Sequence, residues 1–559
     1  MDTPASEESI PRTSPVATAR FRMRVAAGCL LLLGLAFIQA PGLLVADTKF
    51  DLVADPLGFL SRAGHLWDPE GALGQLQNQA YGYFWPMGPF FVLGDLLGMD
   101  GWVVQRLWMA LVLCAAFTGA ALLAKAMGVR SDAAALIAAF AYATSPRILS
   151  TIGPASIEAW PSALAPWVLL PLVIGAQRGS PRRAAALAGF AVAMVGGVNA
   201  AATFAVIPLG VVWLLTRAPG KRRNTMIIWW PVFTLLGTLW WLIPLFVMGA
   251  YSPPFLDFIE SASVTTFPTT LFDALRGTSA WVPYVDGSWQ GGNQTITLGY
   301  LALNSGLVLL LGMAGIASRR NPHGVFLVLS VLLGLFLVTM GHLGSVEGWF
   351  ASVLHGSLDG VLAPIRNVHK FDPIIRLPMV LGLAILLDVV SAESRRERLD
   401  TGAPRFTWAT RTPVLVLALV AVVGAAMPAL GARLAPTQGV AETPGYWVQA
   451  AEWLDEQPGN GAALLAPGSS FGDYLWGNPR DEPMQFLANS RWAVRNAVPL
   501  TNPGNIRMLD AIEARFNQGH GSPGLSRYLA RNGINHVVVR NDLRPSAELP
   551  DPVQVRQAL

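Results

Sequence analysis

Two aspartates four positions apart, Asp47 and Asp51, occur in Ala46-Asp47-Thr48-Lys49-Phe50-Asp51-Leu52, directly after a long apolar stretch. A carboxylate at a membrane boundary can take the proton of a hydroxyl group while a lipid phosphate approaches from the bilayer, as a general base must. The spacing places Asp51 one helical turn beyond Asp47. On charge pattern alone the simpler reading is preferred: both acids solvate the end of a helix.

A second group lies between Arg366 and Arg376, where Arg366, His369, Lys370 and Arg376 fall within eleven residues. Arginine holds phosphate oxygens through paired N–H bonds and lysine supplies a point charge, so this is the strongest phosphate-binding pattern in the chain. Attraction to anionic headgroups is the plainer account, but this is the one basic loop expected on the outer side, which favours the specific reading. Asp372-Pro373 reads as N-cap and first residue of a helix. A third group, Gln75 to Pro86, mixes amides with aromatics and includes Gln79, Tyr81 and Trp85. Planar amides beside rings suit sugars, whose hydroxyls need hydrogen-bond partners and whose apolar faces stack. Aromatics also anchor chains at membrane interfaces, so the amides are the distinctive part.

Weaker signals lie elsewhere in the chain. Glu158 opens a helix, where a carboxylate favours the dipole. The segment 251–297 carries Glu260, Trp281 and Trp289 and reads as a partly ordered lid with aromatic platforms. Arg106, one turn inside an apolar stretch, is a functional candidate by its depth, although a snorkelling arginine is the simpler reading. Gly468-Ser469-Ser470-Phe471-Gly472 matches G-x-S-x-G, but a nucleophile elbow must lead into a helix and the following residues do not read as one. The sequence contains no Walker loop, dinucleotide fingerprint, HExxH or EF-hand pattern.

The elements that must position these residues are membrane helices. Of 559 residues, 53% are hydrophobic and 13% charged, against about a quarter charged in soluble domains. The net charge of +4 comes from arginines at the ends of apolar stretches, a topology signal and no nucleic-acid footprint. Cys29 and Cys114 both fall in apolar stretches and suggest neither a disulfide nor a metal site. Eleven spans are expected: 25–45, 102–125, 131–148, 159–177, 183–198, 200–216, 224–250, 298–317, 323–341, 373–391 and 412–432. The first reads as a retained anchor. The apolar piece 86–99 is short for a crossing and is expected at the outer surface, because only then do all the basic turns face the cytoplasm. Residues 1–24 form an inner tail and 25–432 the membrane core, with long outer loops at 46–101, 251–297 and 342–372. These loops hold the polar complexity, so function is expected on the outer face. Residues 433–559 read as a small extracytoplasmic α/β domain with helices at 447–456, 505–517 and 525–532 and strands at 462–466 and 535–540. The domain reads as cut short or continued in a longer chain.

Four strings carry a resemblance: DTKFDLVADPLGFLSRAGHLWDP, QNQAYGYFWPMGPFF, FLDFIESAS and APIRNVHKFDPIIRLP. In these the chain resembles the AftD-type family of mycobacterial arabinofuranosyltransferases, large members of the C-type, lipid-phosphate-dependent glycosyltransferases. The resemblance implies an α-helical polytopic C-type core in the plasma membrane with its active site outside. It implies decaprenyl-phosphoryl arabinofuranose as donor and the arabinan of arabinogalactan and lipoarabinomannan as acceptor, with inversion and α-(1→3) branching. An aspartate of the first outer loop is the catalytic base in such enzymes, and Asp47 matches it, with Asp51 as fallback. Glu260 matches an acidic position near the site, and Arg366, His369, Lys370 and Arg376 are assigned to the donor phosphate. No cofactor is implied; a divalent ion shared by Asp47 and the phosphate is compatible with the pattern. The family's members are far longer. Two rivals remain: a C-type transferase for another polyprenyl-phosphate sugar, and a non-catalytic lipid-linked-sugar transporter or scaffold. A transporter needs polar groups at mid-membrane depth, and several spans offer few.

Overall fold

The first apolar stretch forms the helix Pro15–Phe37 and ends near Pro41 and Gly42, with Ala40 at φ 38° and Gly42 at φ 78°. Proline has no N–H to continue a helix, so the chain reaches Asp47 in irregular backbone. The carbonyls exposed there need partners. Arg106 supplies them: its Nε donates to Gln39 O at 2.6 Å, and its Nη2 to Ala40 O at 3.2 Å and Leu43 O at 3.0 Å. Gln105 adds a two-way bond with the backbone of Val45. Arg106 is therefore buried as the anchor of this segment rather than snorkelling to the surface.

The computed structural model describes residues 15–77, 80–252, 258–401, 408–457, 459 and 461–559; Gln79 and Asp257 lie outside the described residues. Among the described residues six helices are long and apolar enough to cross a membrane: Gly101–Ala126, Asp132–Thr151, Ser156–Gln177, Lys221–Tyr251, Gly299–Ile316 and Val368–Ala392. Shorter apolar helices run over Met87–Leu96, Ala200–Leu215, Gly324–Thr339 and Thr412–Ala425. These helices make the chain a membrane protein. The expected pair of short spans at 183–216 becomes Pro181–Ala193, Ala200–Ala205 and Pro208–Leu215, the last two separated at Pro208. The helix Lys221–Tyr251 leaves Ile228, Leu236, Ile243 and Phe246 exposed, an apolar face suited to lipid. Small residues let one pair of helices approach closely. Gly312 and Gly315 of Gly299–Ile316 meet Gly382 of Pro373–Thr401 so tightly that a Cβ on Gly315 would strike the Gly382 carbonyl.

Among its described residues the segment read as a partly ordered lid forms the short helices Ala262–Thr266, Leu271–Arg276, Val282–Val285 and Gln290–Thr297. It is tied down by Arg276, which donates to Ser305 Oγ at 3.1 Å and Thr295 O at 2.8 Å.

The C-terminal region forms a three-stranded parallel sheet in the order Trp492–Ala493, Ala462–Ala466, Ile534–Val539. Helices Gly445–Asp455, Pro503–Gln518, Leu525–Arg531 and Pro552–Ala558 accompany it. Leu464, Leu509, Ile512 and Phe516 form the core on one face, with Trp447, Leu465 and Tyr474 on the other. After Ala466 the chain enters the hairpin Gly472–Tyr474/Gly477–Arg480, not a helix. The buried Arg540 holds the far end of that hairpin, its Nη1 2.8 Å from Glu482 Oε1, while Tyr474 donates to Glu482 Oε2 at 2.5 Å.

Candidate functional site

The loop after the first helix turns sharply at Thr48, φ 70°. The expected helical turn joining Asp47 to Asp51 is consequently absent; a separate short helix, Asp51–Ala54, begins at the second aspartate. Asp47 instead meets the start of Ser156–Gln177. Its Oδ1 accepts the Ser156 backbone N–H at 2.5 Å and its Oδ2 accepts the Ser156 hydroxyl at 2.6 Å. The Trp108 indole N–H donates to the same hydroxyl at 2.9 Å, fixing its direction. Burial pushes the Asp47 carboxyl up to about 6, against these hydrogen bonds and the Arg106 charge, which pull it down. The group is thus oriented and ionised at neutral pH.

Asp51 is also buried, with Oδ2 3.3 Å from Arg62 Nη2 and Oδ1 without a hydrogen-bond partner. Burial, then the neighbouring Asp481 charge, raises it to about 6. Asp481 comes from the C-terminal region: its Oδ2 accepts the Phe50 N–H at 2.8 Å and its Oδ1 lies 3.5 Å from Lys49 Nζ. That carboxylate is the largest cause raising Lys49. Tyr83, buried among Asp47, Asp51 and Asp481, is pushed well above the usual phenol range by burial first and these charges second. Beside Asp51 opens a cavity of about 350 Å³ walled by Lys49, Arg62, Gln75, Asp481 and Trp492, and by Pro154 and Ala155 just ahead of Ser156.

Glu158, two residues after Ser156, gathers two cations and an imidazole. Its carboxylate lies 3.0 Å from Arg147 Nη2, 3.3 Å from His369 Nε2 and 3.6 Å from Lys370 Nζ. Arg147 Nε and Nη1 and His369 Nδ1 are buried with no hydrogen-bond partner. Buried polar groups are nearly always satisfied, so these nitrogens are unused binding capacity. His369 and Lys370 therefore come together; Arg366 and Arg376 stand apart. Arg366 is 3.7 Å from Asp359. Arg376 donates to Leu275 O at 2.6 Å, Ala274 O at 3.1 Å and Asp372 Oδ1 at 2.8 Å, closing the end of Leu271–Arg276.

Glu260 accepts the Asn367 amide at 2.7 Å, and Trp281 Nε1 donates to Asn367 Oδ1 at 2.9 Å. This small network joins the 251–297 segment to the turn before His369. Trp289 is buried. Tyr81 is buried with its hydroxyl unpartnered and pushed up to about 12 by burial. Trp85 is 43% exposed and donates to Met194 Sδ at 3.1 Å. Gly82 packs on the backbone of Gly197 and Val198, so the amide–aromatic segment rests on the turn between two short helices.

Sequence reading passed over Arg147, Asn367 and Asp481. Arg147 carried a signal, a cation at the outer end of an expected span, against the charge bias. Asp481 carried none, because only the fold brings it beside Phe50. Among the described residues no three or more His, Cys, Asp or Glu side chains are grouped to hold a metal ion.

Comparison with known proteins places this geometry in context. Residues 31–559 match the family model of the α-(1→3)-arabinofuranosyltransferase N-terminal GT-C domain. The curated α-(1→3)-arabinofuranosyltransferase of Mycolicibacterium smegmatis is 42% identical over 538 residues, 94% of this chain and 38% of that protein. Its counterpart from Mycobacterium tuberculosis is 42% identical over 529 residues, 92% and 37% of the two chains. The cryo-EM structure of arabinofuranosyltransferase AftD from mycobacteria superposes with a TM-score of 0.80 at 39% identity, covering 96% of this chain and 36% of that one. The chain thus spans under two-fifths of the length of these relatives.

Proposed function

We propose, for a chain that belongs to the α-(1→3)-arabinofuranosyltransferase family through its N-terminal GT-C domain, that it transfers arabinofuranose from decaprenyl-phosphoryl arabinose to cell-wall arabinan. The chain would cross the plasma membrane eleven times with Asp47 on the outer face. The distribution of basic turns supports that orientation.

One observation carries the reading: the first turn of Ser156–Gln177 holds the buried Asp47 carboxylate at Ser156 and a cation cluster at Glu158. Asp47 removes the proton of an acceptor hydroxyl. The freed oxygen forms a bond to the anomeric carbon of the β-linked donor as the bond to phosphate oxygen breaks, giving an α linkage. The lipid phosphate leaves with the electron pair, and its charge is met by Lys370 and the unused N–H groups of Arg147, with His369 packed beside them on Glu158. A preorganised donor of this kind is worth about 100- to 1,000-fold in rate. Asp51, with an unpartnered oxygen at the cavity wall, steadies the acceptor. Arg366 and Glu260 with Asn367 support the turn that presents His369 and Lys370.

The test is transfer of labelled arabinose to a synthetic arabinan in membranes carrying the chain or its Asp47→Asn variant at matched expression. Loss of transfer in the variant supports the assignment. Equal transfer moves the base to Asp51. Transfer from a mannosyl phospholipid alone would establish the alternative donor, and no transfer from either would leave the scaffold reading.

A further inference from the structure

A second cavity, about 660 Å³, lies on the C-terminal region and adjoins the one beside Asp51: Ser470, Phe471, Arg480 and Asn496 line both. Its size falls within the range of about 300–1,000 Å³ typical of ligand sites. Two aromatic faces stand in its wall, Phe471 at 47% and Phe258 at 40% exposure. Each is backed by a guanidinium, Arg480 5.1 Å from the Phe471 ring and Arg495 5.7 Å from that of Phe258. Exposed rings in the wall of a polar cleft offer faces on which the apolar side of a sugar can stack.

The three arginines of the cleft are each paired with an aspartate, and Glu513 and Glu548 add further carboxylates to its wall. Arg480 pairs with Asp286 at 3.2 Å, Arg495 with Asp510 at 2.5 Å and Arg544 with Asp473 at 3.3 Å. Among the described residues such walls offer no free cation to a phosphate or an acidic peptide. They offer planar donors and acceptors, which suit a neutral polyhydroxyl ligand. Glu513 lines the cleft, and its Oε1 is buried with no hydrogen-bond partner. Burial raises its carboxyl to about 7, which makes it able to donate to or accept from a hydroxyl. At the junction of the two cavities Arg480 holds φ 63°, a backbone state rare outside glycine that persists only where surrounding contacts enforce it.

We infer that this cleft is a distal acceptor subsite, in which a neutral pentofuranosyl chain lies across Phe471 toward Glu513 while its reacting end occupies the cavity beside Asp51. The inference rests on the proposed function and extends it to how acceptor length is sensed. Short acceptors reach only the proximal cavity; longer ones gain the stacking and hydroxyl contacts of the distal one.

The test uses the whole chain in nanodiscs and measures donor-free binding of a synthetic arabinofuranosyl disaccharide and hexasaccharide by calorimetry. The expected result is tighter binding of the hexasaccharide. Phe258→Ala and, separately, the isosteric Glu513→Gln, two residues that line only the distal cleft, should each weaken hexasaccharide binding about five- to tenfold, a change of about 1–1.4 kcal/mol, with disaccharide binding unchanged. An unchanged melting temperature confirms that each variant is folded. Equal loss for both lengths, no loss in either variant, or no preference for the longer ligand would overturn the inference. Length-dependent binding without any transfer would instead sink the proposed function and leave the cleft as a glycan-binding site.

Discussion

The carboxylate of Asp481 accepts the backbone N–H of Phe50 at 2.8 Å across 431 residues of sequence. The C-terminal region therefore holds the loop that carries Asp47 and Asp51, and it is held in turn by the Arg540–Glu482 pair buried behind it. Asp481→Ala leaves the Phe50 N–H and Lys49 unpaired, a loss of about 1–3 kcal/mol. We expect a lower melting temperature and a raised KM for acceptor, with Asp481→Asn recovering much of the stability because its amide oxygen still accepts the Phe50 N–H. Equal KM values for the unaltered chain and Asp481→Ala would separate the C-terminal region from the site.

Asp47→Asn should lower transfer by about 100- to 10,000-fold, the usual contribution of a positioned base. Ser156→Ala removes only one of the two hydrogen bonds that aim Asp47. It should reduce kcat by about tenfold, an interaction worth about 1.4 kcal/mol, with KM for donor little changed. A kcat loss in Ser156→Ala as large as that of Asp47→Asn would mean that Ser156 does more than orient.

The pH dependence has a definite sign. Asp47 moves from 3.8 to about 6 because burial disfavours its charged form. The folded state then holds more protons than the unfolded state between these values, so this group's contribution to stability is full below about 4 and is lost as pH rises through about 6. The shift corresponds to about 3 kcal/mol. Asp47→Asn, which cannot ionise, should become progressively more stable than the unaltered chain across that window in melting curves. Activity runs the other way: a base must be ionised, so kcat/KM should rise with pH and level off above about 6. A flat profile from pH about 5 to 8 would rule out either buried aspartate as the base.

Lys370→Ala should cost about 100-fold or more in kcat, as loss of a charge that stabilises the leaving phosphate. Arg147→Lys keeps one charge beside Glu158 but loses the planar fork, so its deficit should be smaller but clear. Arg376→Lys should lower the melting temperature before it touches kcat, because the Arg376 donors are committed to Ala274, Leu275 and Asp372. Fluorescence-detected melting beside single-turnover transfer would separate the two effects.

The sequence by itself determined the membrane character and the order of the apolar helices, because apolar run length acts locally along the chain. It also marked Asp47, Glu158, His369 and Lys370 as candidates, and strands 462–466 and 534–539 within a residue. Tertiary structure alone decided which of these meet. Pro41 and Gly42 end the first helix early and Thr48 turns the chain, so the one-turn spacing of Asp47 and Asp51 never forms. Arg376 looked equivalent to Lys370 by type and spacing, yet one caps a helix and the other faces Glu158. Asp481 and Arg147 reach the site through contacts across 431 and 11 residues. Proximity across folded space depends on how every intervening helix packs, and no local pattern of residue types records it.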